Sequence, residues 1–177
     1  MTNKKYLGLI VLILLGAVAV GSWFYLNKIT VKPTPQSISG VKLYFLPESF
    51  SVKSGDNFTV ALRIDPVGKK ITAQELYFSF NSELVNLNRI TTSTAFSVAL
   101  MPAEINNQTG QASITLGAPP TAPVGEESDV LYLNFTAEDQ VGRGVVKVEN
   151  NSQVAAIGMT ANVLEGFGAL QLRINRK

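Results

Sequence analysis

Neither histidine nor cysteine occurs among the 177 residues, so any proton transfer or nucleophilic step would fall to Asp, Glu, Lys, Tyr or Ser. Glycoside hydrolysis is one reaction that carboxylates alone can carry, and it needs two of them about 5–9 Å apart across a cleft. The densest acids are Glu126, Glu127 and Asp129, but they follow Pro119, Pro120 and Gly125, a turn-rich context that marks a solvated loop. Glu138 and Asp139 invite a calcium reading, yet they lack the regular oxygen-ligand spacing of a calcium loop and read as a polar turn. The chain therefore reads as non-catalytic, and no cofactor or metal is expected.

Binding chemistry is better supplied. In Ala73–Phe80 the residues Leu76, Phe78 and Phe80 alternate with Glu75, Tyr77 and Ser79, which places the second set on the solvent side of a strand. By the same alternation Gln111–Leu116 presents Gln111, Ser113 and Thr115, and Val130–Ala137 presents Val130, Tyr132, Asn134 and Thr136. If these strands are neighbours, the side chains of Glu75, Tyr77, Ser79, Ser113, Thr115, Tyr132, Asn134 and Thr136 form one flat face with two tyrosines among small polar groups. Such a face suits protein docking or glycan stacking. The alternative is an ordinary solvated sheet face on which tyrosine serves strand propensity.

The elements that must position these residues are strands. Phe58, Val60, Leu62 and Ile64 alternate with polar neighbours, and the pattern recurs in Ala112, Ile114 and Leu116, in Leu131, Leu133 and Phe135, in Val146 and Val148, and in Ala169–Ile174. Turn residues separate the runs at 54–57, 65–68, 106–110, 119–125 and 141–144. Asn81–Val85 fits a single turn capped by Asn81 or Ser82. Many short strands with regular turns mean a β-sandwich. Its core should be filled by Phe58, Leu62, Leu76, Phe78, Phe80, Leu133 and Phe135.

Ahead of this domain, Tyr6 to Leu26 carries no formal charge and follows Lys4 and Lys5. A helix of about twenty such residues spans a hydrocarbon core of about 30 Å. The run ends in Trp23-Phe24-Tyr25 rather than in a small-residue cleavage site, which favours an uncleaved signal-anchor over a signal peptide. Residues 1–27 are read as a cytoplasmic tip and transmembrane helix, 28–40 as a Pro/Thr/Ser linker, and 41–177 as a domain outside the cytoplasm. Four of the 15 Lys and Arg lie in residues 1–40, which hold no acid, leaving 11 basic against 13 acidic residues in the domain. That slight negative charge excludes a nucleic-acid partner, which would require clustered positive charge.

The ordered segments Phe45-Leu46-Pro47, Phe50–Val60, Ala73–Val85, Gly110–Ile114, Leu131–Ala137 and Gly168–Leu172 resemble a bacterial cohesin domain across nearly all of residues 41–174. The resemblance implies a nine-stranded jelly roll, related to cellulose-binding modules, that docks a calcium-loaded helical dockerin on one sheet. In cellulosomal cohesins the strand matching Ala73–Phe80 carries an Asn and an acid two residues apart that help to hold the dockerin. Here those positions are Ala73 and Glu75, so the acid is kept and the amide is missing.

The function expected is therefore a membrane-anchored, extracytoplasmic binding module for a dockerin-like or other surface protein. A module that recognises polysaccharide is the alternative, weakened because the one tryptophan, Trp23, lies in the anchor. A pilin-like subunit ranks third, since the anchor lacks the glutamate that follows the processing site of type IV pilins.

Overall fold

The computed structural model describes residues 40–177. The anchor helix expected over residues 1–27 and all of the expected linker except Gly40 lie outside the described residues.

Period-two alternation has become strands throughout. In chain order they are β1 (Val41–Leu46), β2 (Ser49–Lys53), β3 (Asn57–Asp65), β4 (Ile71–Ser79), β5 (Val85–Thr92), β6 (Val98–Asn106), β7 (Gln111–Gly117), β8 (Ser128–Ala137), β9 (Gly142–Val148), β10 (Gln153–Ala156), β11 (Leu164–Phe167) and β12 (Ala169–Asn175). One sheet has the order β11-β1-β3-β8-β5; the other runs β2-β12-β9-β4-β7-β6, with β10 also paired to β4. The two sheets enclose one apolar core, as the alternation requires.

The described residues thus hold twelve strands rather than nine, for identifiable reasons. At Pro47, which has no N–H to give a ladder, the chain leaves β1 in the first sheet and continues as β2 in the second. At Gly168, whose N–H donates to Leu43 O at 2.7 Å, it passes from β11 beside β1 to β12 between β2 and β9. Each segment is one stretch of chain shared by two sheets. The short β10 adds a further strand alongside β4.

All seven expected core residues are buried. Phe58 and Phe135 are cross-strand partners on β3 and β8, their rings stacked with centroids 5.3 Å apart; Phe50 stacks on Phe58 at 5.2 Å and Phe80 meets Phe135 edge-on at 5.8 Å. Offset and edge-on pairs of this kind add about 0.5–1.5 kcal/mol beyond their buried area. The turn at Asn81 also forms, with Asn81 Oδ1 accepting from Glu83 N at 2.9 Å.

One expected turn is a strand. Gly142 and Gly144 open β9, and glycine is needed there for space: a Cβ at Gly144 would lie 2.9 Å from Leu84 Cδ1, and one at Gly142 3.1 Å from Leu84 Cδ2. Val130 is a second correction. It was expected on the solvent side, but the β3–β8 register skips it between Leu131 and Asp129, and it turns wholly into the core.

Candidate docking face

On β4 the side chains of Gln74, Leu76 and Phe78 enter the core, which leaves Ala73, Glu75, Tyr77 and Ser79 on the outer face of the seven-stranded sheet. The adjoining loop fixes the backbone at the centre of this row. Tyr77 N donates to Ser152 Oγ at 3.0 Å, Glu149 N donates to Tyr77 O at 2.7 Å, and Ser152 is completely buried. The Tyr77 ring therefore stands on a rigid support.

The ladder aligns its neighbours. Thr115 lies opposite Glu75, Ser113 opposite Tyr77 and Gln111 opposite Ser79. One strand further out, Met101 pairs with Thr115, Glu104 with Ser113 and Asn106 with Gln111. The face therefore carries the rows Met101–Thr115–Glu75, Glu104–Ser113–Tyr77 and Asn106–Gln111–Ser79. Beside Tyr77 they leave a concavity of about 520 Å³ lined by Glu104, Gln111, Ser113, Glu149 and Asn151.

The contribution of β6 is absent from the sequence reading. Val98 to Ala103 are six apolar residues in succession, without the alternation of a half-buried strand, and they lie at the sheet edge with Leu100 55 % and Met101 56 % exposed. An exposed apolar edge is a pairing surface. The unbroken apolar run bounded by turn residues was the signal that could have revealed it.

Electrostatically the face is acidic. The Tyr77 hydroxyl donates to Glu75 Oε1 at 2.5 Å, and that bond, with desolvation and the charges of Glu75 and Glu104, holds the phenol pKa above 10.0. A hydrogen bond from Ser79 is the main reason the Glu149 carboxyl lies below 4.5, with desolvation opposing and Lys147, 3.1 Å away, assisting. Glu104 makes no ion pair among the described residues. Among the described residues no group of three or more His, Cys, Asp or Glu is placed to hold a metal ion.

The single face expected from the sequence does not exist. β8 lies between β3 and β5 in the five-stranded sheet, so Tyr132, Asn134 and Thr136 point away from the opposite side of the sandwich to Glu75, Tyr77, Ser79, Ser113 and Thr115. Alternation specifies inside and outside but not which sheet a strand joins. On the β8 side the polar groups are also engaged with one another. Tyr132 donates to Asp129 Oδ2 at 2.8 Å, which raises its pKa; Arg63 pairs with Asp129 at 3.0 Å and Glu127 at 3.4 Å, and Tyr44 also donates to Glu127. Asn134 accepts from Thr59 at 2.8 Å, and Thr136 donates to Asn57 and accepts from Asn88. Glu127 and Asp129, set aside above as candidate catalytic acids, are the anchors of this ladder.

A family model for the cohesin domain matches residues 46–164. The chain belongs to the cohesin domain family. No curated protein matches it. Among solved structures, this cohesin is similar to the third cohesin of ScaC from Acetivibrio cellulolyticus, solved in complex with the ScaB dockerin, with 17 % identity, 76 % of this chain and 98 % of that one covered, and a TM-score of 0.64. CaCohA2 from Clostridium acetobutylicum gives 16 % identity, 77 % and 92 % coverage and a TM-score of 0.64. A non-cellulosomal cohesin from the archaeon Archaeoglobus fulgidus gives 11 %, 77 % and 91 %, and 0.62. At these identities the likeness establishes the fold alone; the family that the model match shows is one of non-catalytic protein-binding domains.

Proposed function

We propose that this cohesin is a non-catalytic module, anchored in a membrane and displayed outside the cytoplasm, that docks a dockerin-like protein on the outer face of β4, β7 and β6. The observation that carries the reading is the outward-facing, half-buried Tyr77, its backbone held by Ser152 and Glu149, set among Glu75, Glu104 and Glu149 and bordered by Leu100 and Met101. A large ring beside bare apolar side chains is the composition of a protein interface centre, and acids around it suit the polar rim. The partner it favours presents Lys or Arg towards the acids and apolar groups towards β6.

Where cellulosomal cohesins carry an amide, Ala73 lies between Gly117 and Ala155, and Leu100 packs over Gly117. A smooth apolar strip thus takes the place of a hydrogen-bonding group, so the partner differs from a cellulosomal dockerin at the matching position. The exposed Leu100 and Met101 also favour protein over polysaccharide, whose recognition rests on rings and hydroxyl partners. Support for anchoring is the uncharged run Tyr6–Leu26.

Calorimetric titration of the chain with calcium-loaded dockerins and with polysaccharides tests the binding class. Saturable binding to a dockerin is expected; saturable binding to polysaccharide alone contradicts the reading. Protease added to intact cells should remove the domain, and protection until lysis would contradict its display outside the cytoplasm.

A further inference from the structure

Beyond the end of β4 on this same outer face, Arg143 of β9 lies directly opposite Arg173 of β12. Both are exposed. Like charges directly opposite on adjacent strands, with Cβ atoms about 4.5–5.5 Å apart, destabilise a sheet unless something neutralises them. Among the described residues neither guanidinium makes an ion pair, unlike Arg63 with Glu127 and Asp129 or the Lys147 ammonium with Glu149.

The surroundings supply donors rather than acids. Ser51 of β2 lies opposite Arg173, and the next row is Val145–Gln171–Ser49. Arg143, Arg173, Ser49, Ser51 and Gln171 line a concavity of about 420 Å³ with no carboxylate in its walls. Lys53, opposite Asn175, adds positive charge one row away. The strand carrying Arg143 is fixed from beneath, because Gly142 and Gly144 press against Leu84. Two guanidinium forks on such a support, with hydroxyl and amide groups beside them, fit the oxygens of paired carboxylates.

We infer that Arg143 and Arg173 form a second, anion-binding site that receives an acidic segment of the protein docked on this sheet. Continuity supports that occupant: Lys147 lies opposite both Ser79 and Ala169, so the row through Ser79 carries the Tyr77 face onto β9 and β12, where the next rows on the same side are Val145–Gln171 and then the arginine pair. The anion site rests on the arginines themselves; only the assignment of its ligand to a protein rests on the docking reading.

The test is fluorescence anisotropy of a labelled hexaglutamate peptide titrated with the full chain in neutral detergent. Saturable binding at low salt is expected, abolished at high salt and weakened at least about tenfold in the double variant R143Q/R173Q, since two charge-assisted contacts are lost. Tyr77→Ala should leave it unchanged, which separates this site from the docking face. The double variant should also melt no lower than the parent, because a like-charge pair has been removed, so lost binding cannot be ascribed to unfolding. Parent-like binding by the folded double variant, or no saturable binding at low salt, would overturn the site and leave the docking reading standing. Polygalacturonate bound through the same arginines more tightly than the peptide would overturn the protein assignment.

Discussion

Tyr77 and Glu75 stand two residues apart on the outer side of one strand, and the Tyr77 hydroxyl donates to Glu75 Oε1 at 2.5 Å. The bond orients a phenol and a carboxylate towards the same partner.

Because Glu75 accepts the phenolic proton, loss of that proton is disfavoured and the Tyr77 pKa lies above 10.0. The sign follows directly: the stabilisation is fully present below pH 10.0 and is lost as pH rises through the higher folded-state value. Glu75→Gln should bring the Tyr77 midpoint down towards 10.0, followed by ring-carbon NMR with Tyr77→Phe for assignment. Tyr132, raised instead by its bond to Asp129 on the other sheet, should not move.

Gln74 faces the core at 2 % exposure, and neither its amide nitrogen nor its amide oxygen has a hydrogen-bond partner among the described residues. A buried amide in that condition costs about 1–3 kcal/mol. Gln74→Met keeps the side-chain volume and removes the polar atoms, so chemical denaturation should show a gain in stability of about 1–3 kcal/mol. A loss would mean that the amide is bonded in solution.

Gly144 and Leu84 compete for one volume. Gly144→Ala places a methyl group 2.9 Å from Leu84 Cδ1 and should cost about 1–3 kcal/mol by overpacking. Leu84→Ala alone should cost about 2–5 kcal/mol through its cavity. The double variant should be more stable than the sum of the two losses implies, and strict additivity would show that the methyl group is accommodated elsewhere.

Which parts of this molecule were legible in the sequence follows from how local each signal is. Alternation in β3, β4, β7 and β8 identified Phe58, Phe78, Ile114 and Phe135 as inward residues, because side-chain direction along a strand depends only on its immediate neighbours. Sheet membership is set by long-range pairing, so nothing local revealed that Tyr77 and Tyr132 belong to opposite faces. β6 escaped notice because an edge strand need not alternate, and its register is broken on both sides of Met101. Gly142-Arg143-Gly144 read as a turn because glycine chosen for space looks the same as glycine chosen for backbone conformation. The cohesin resemblance was carried by the order of segments along the chain, a signal that does not depend on knowing the pairing. Within the site, Glu75, Tyr77, Ser79, Ser113 and Thr115 were found together, whereas Leu100, Met101 and Glu104 emerged only from the structure.

The most direct test of the docking face is the dissociation constant of one dockerin-type partner measured by calorimetry for the parent and for Tyr77→Ala, Glu104→Lys and Tyr132→Ala. Tyr77→Ala and Glu104→Lys should each weaken binding about tenfold or more, as loss of a central interface contact worth about 1.4 kcal/mol would do, while Tyr132→Ala leaves the constant unchanged. Loss of binding in Tyr132→Ala with parent-like affinity in the other two would place the partner on the β8 side and contradict the account.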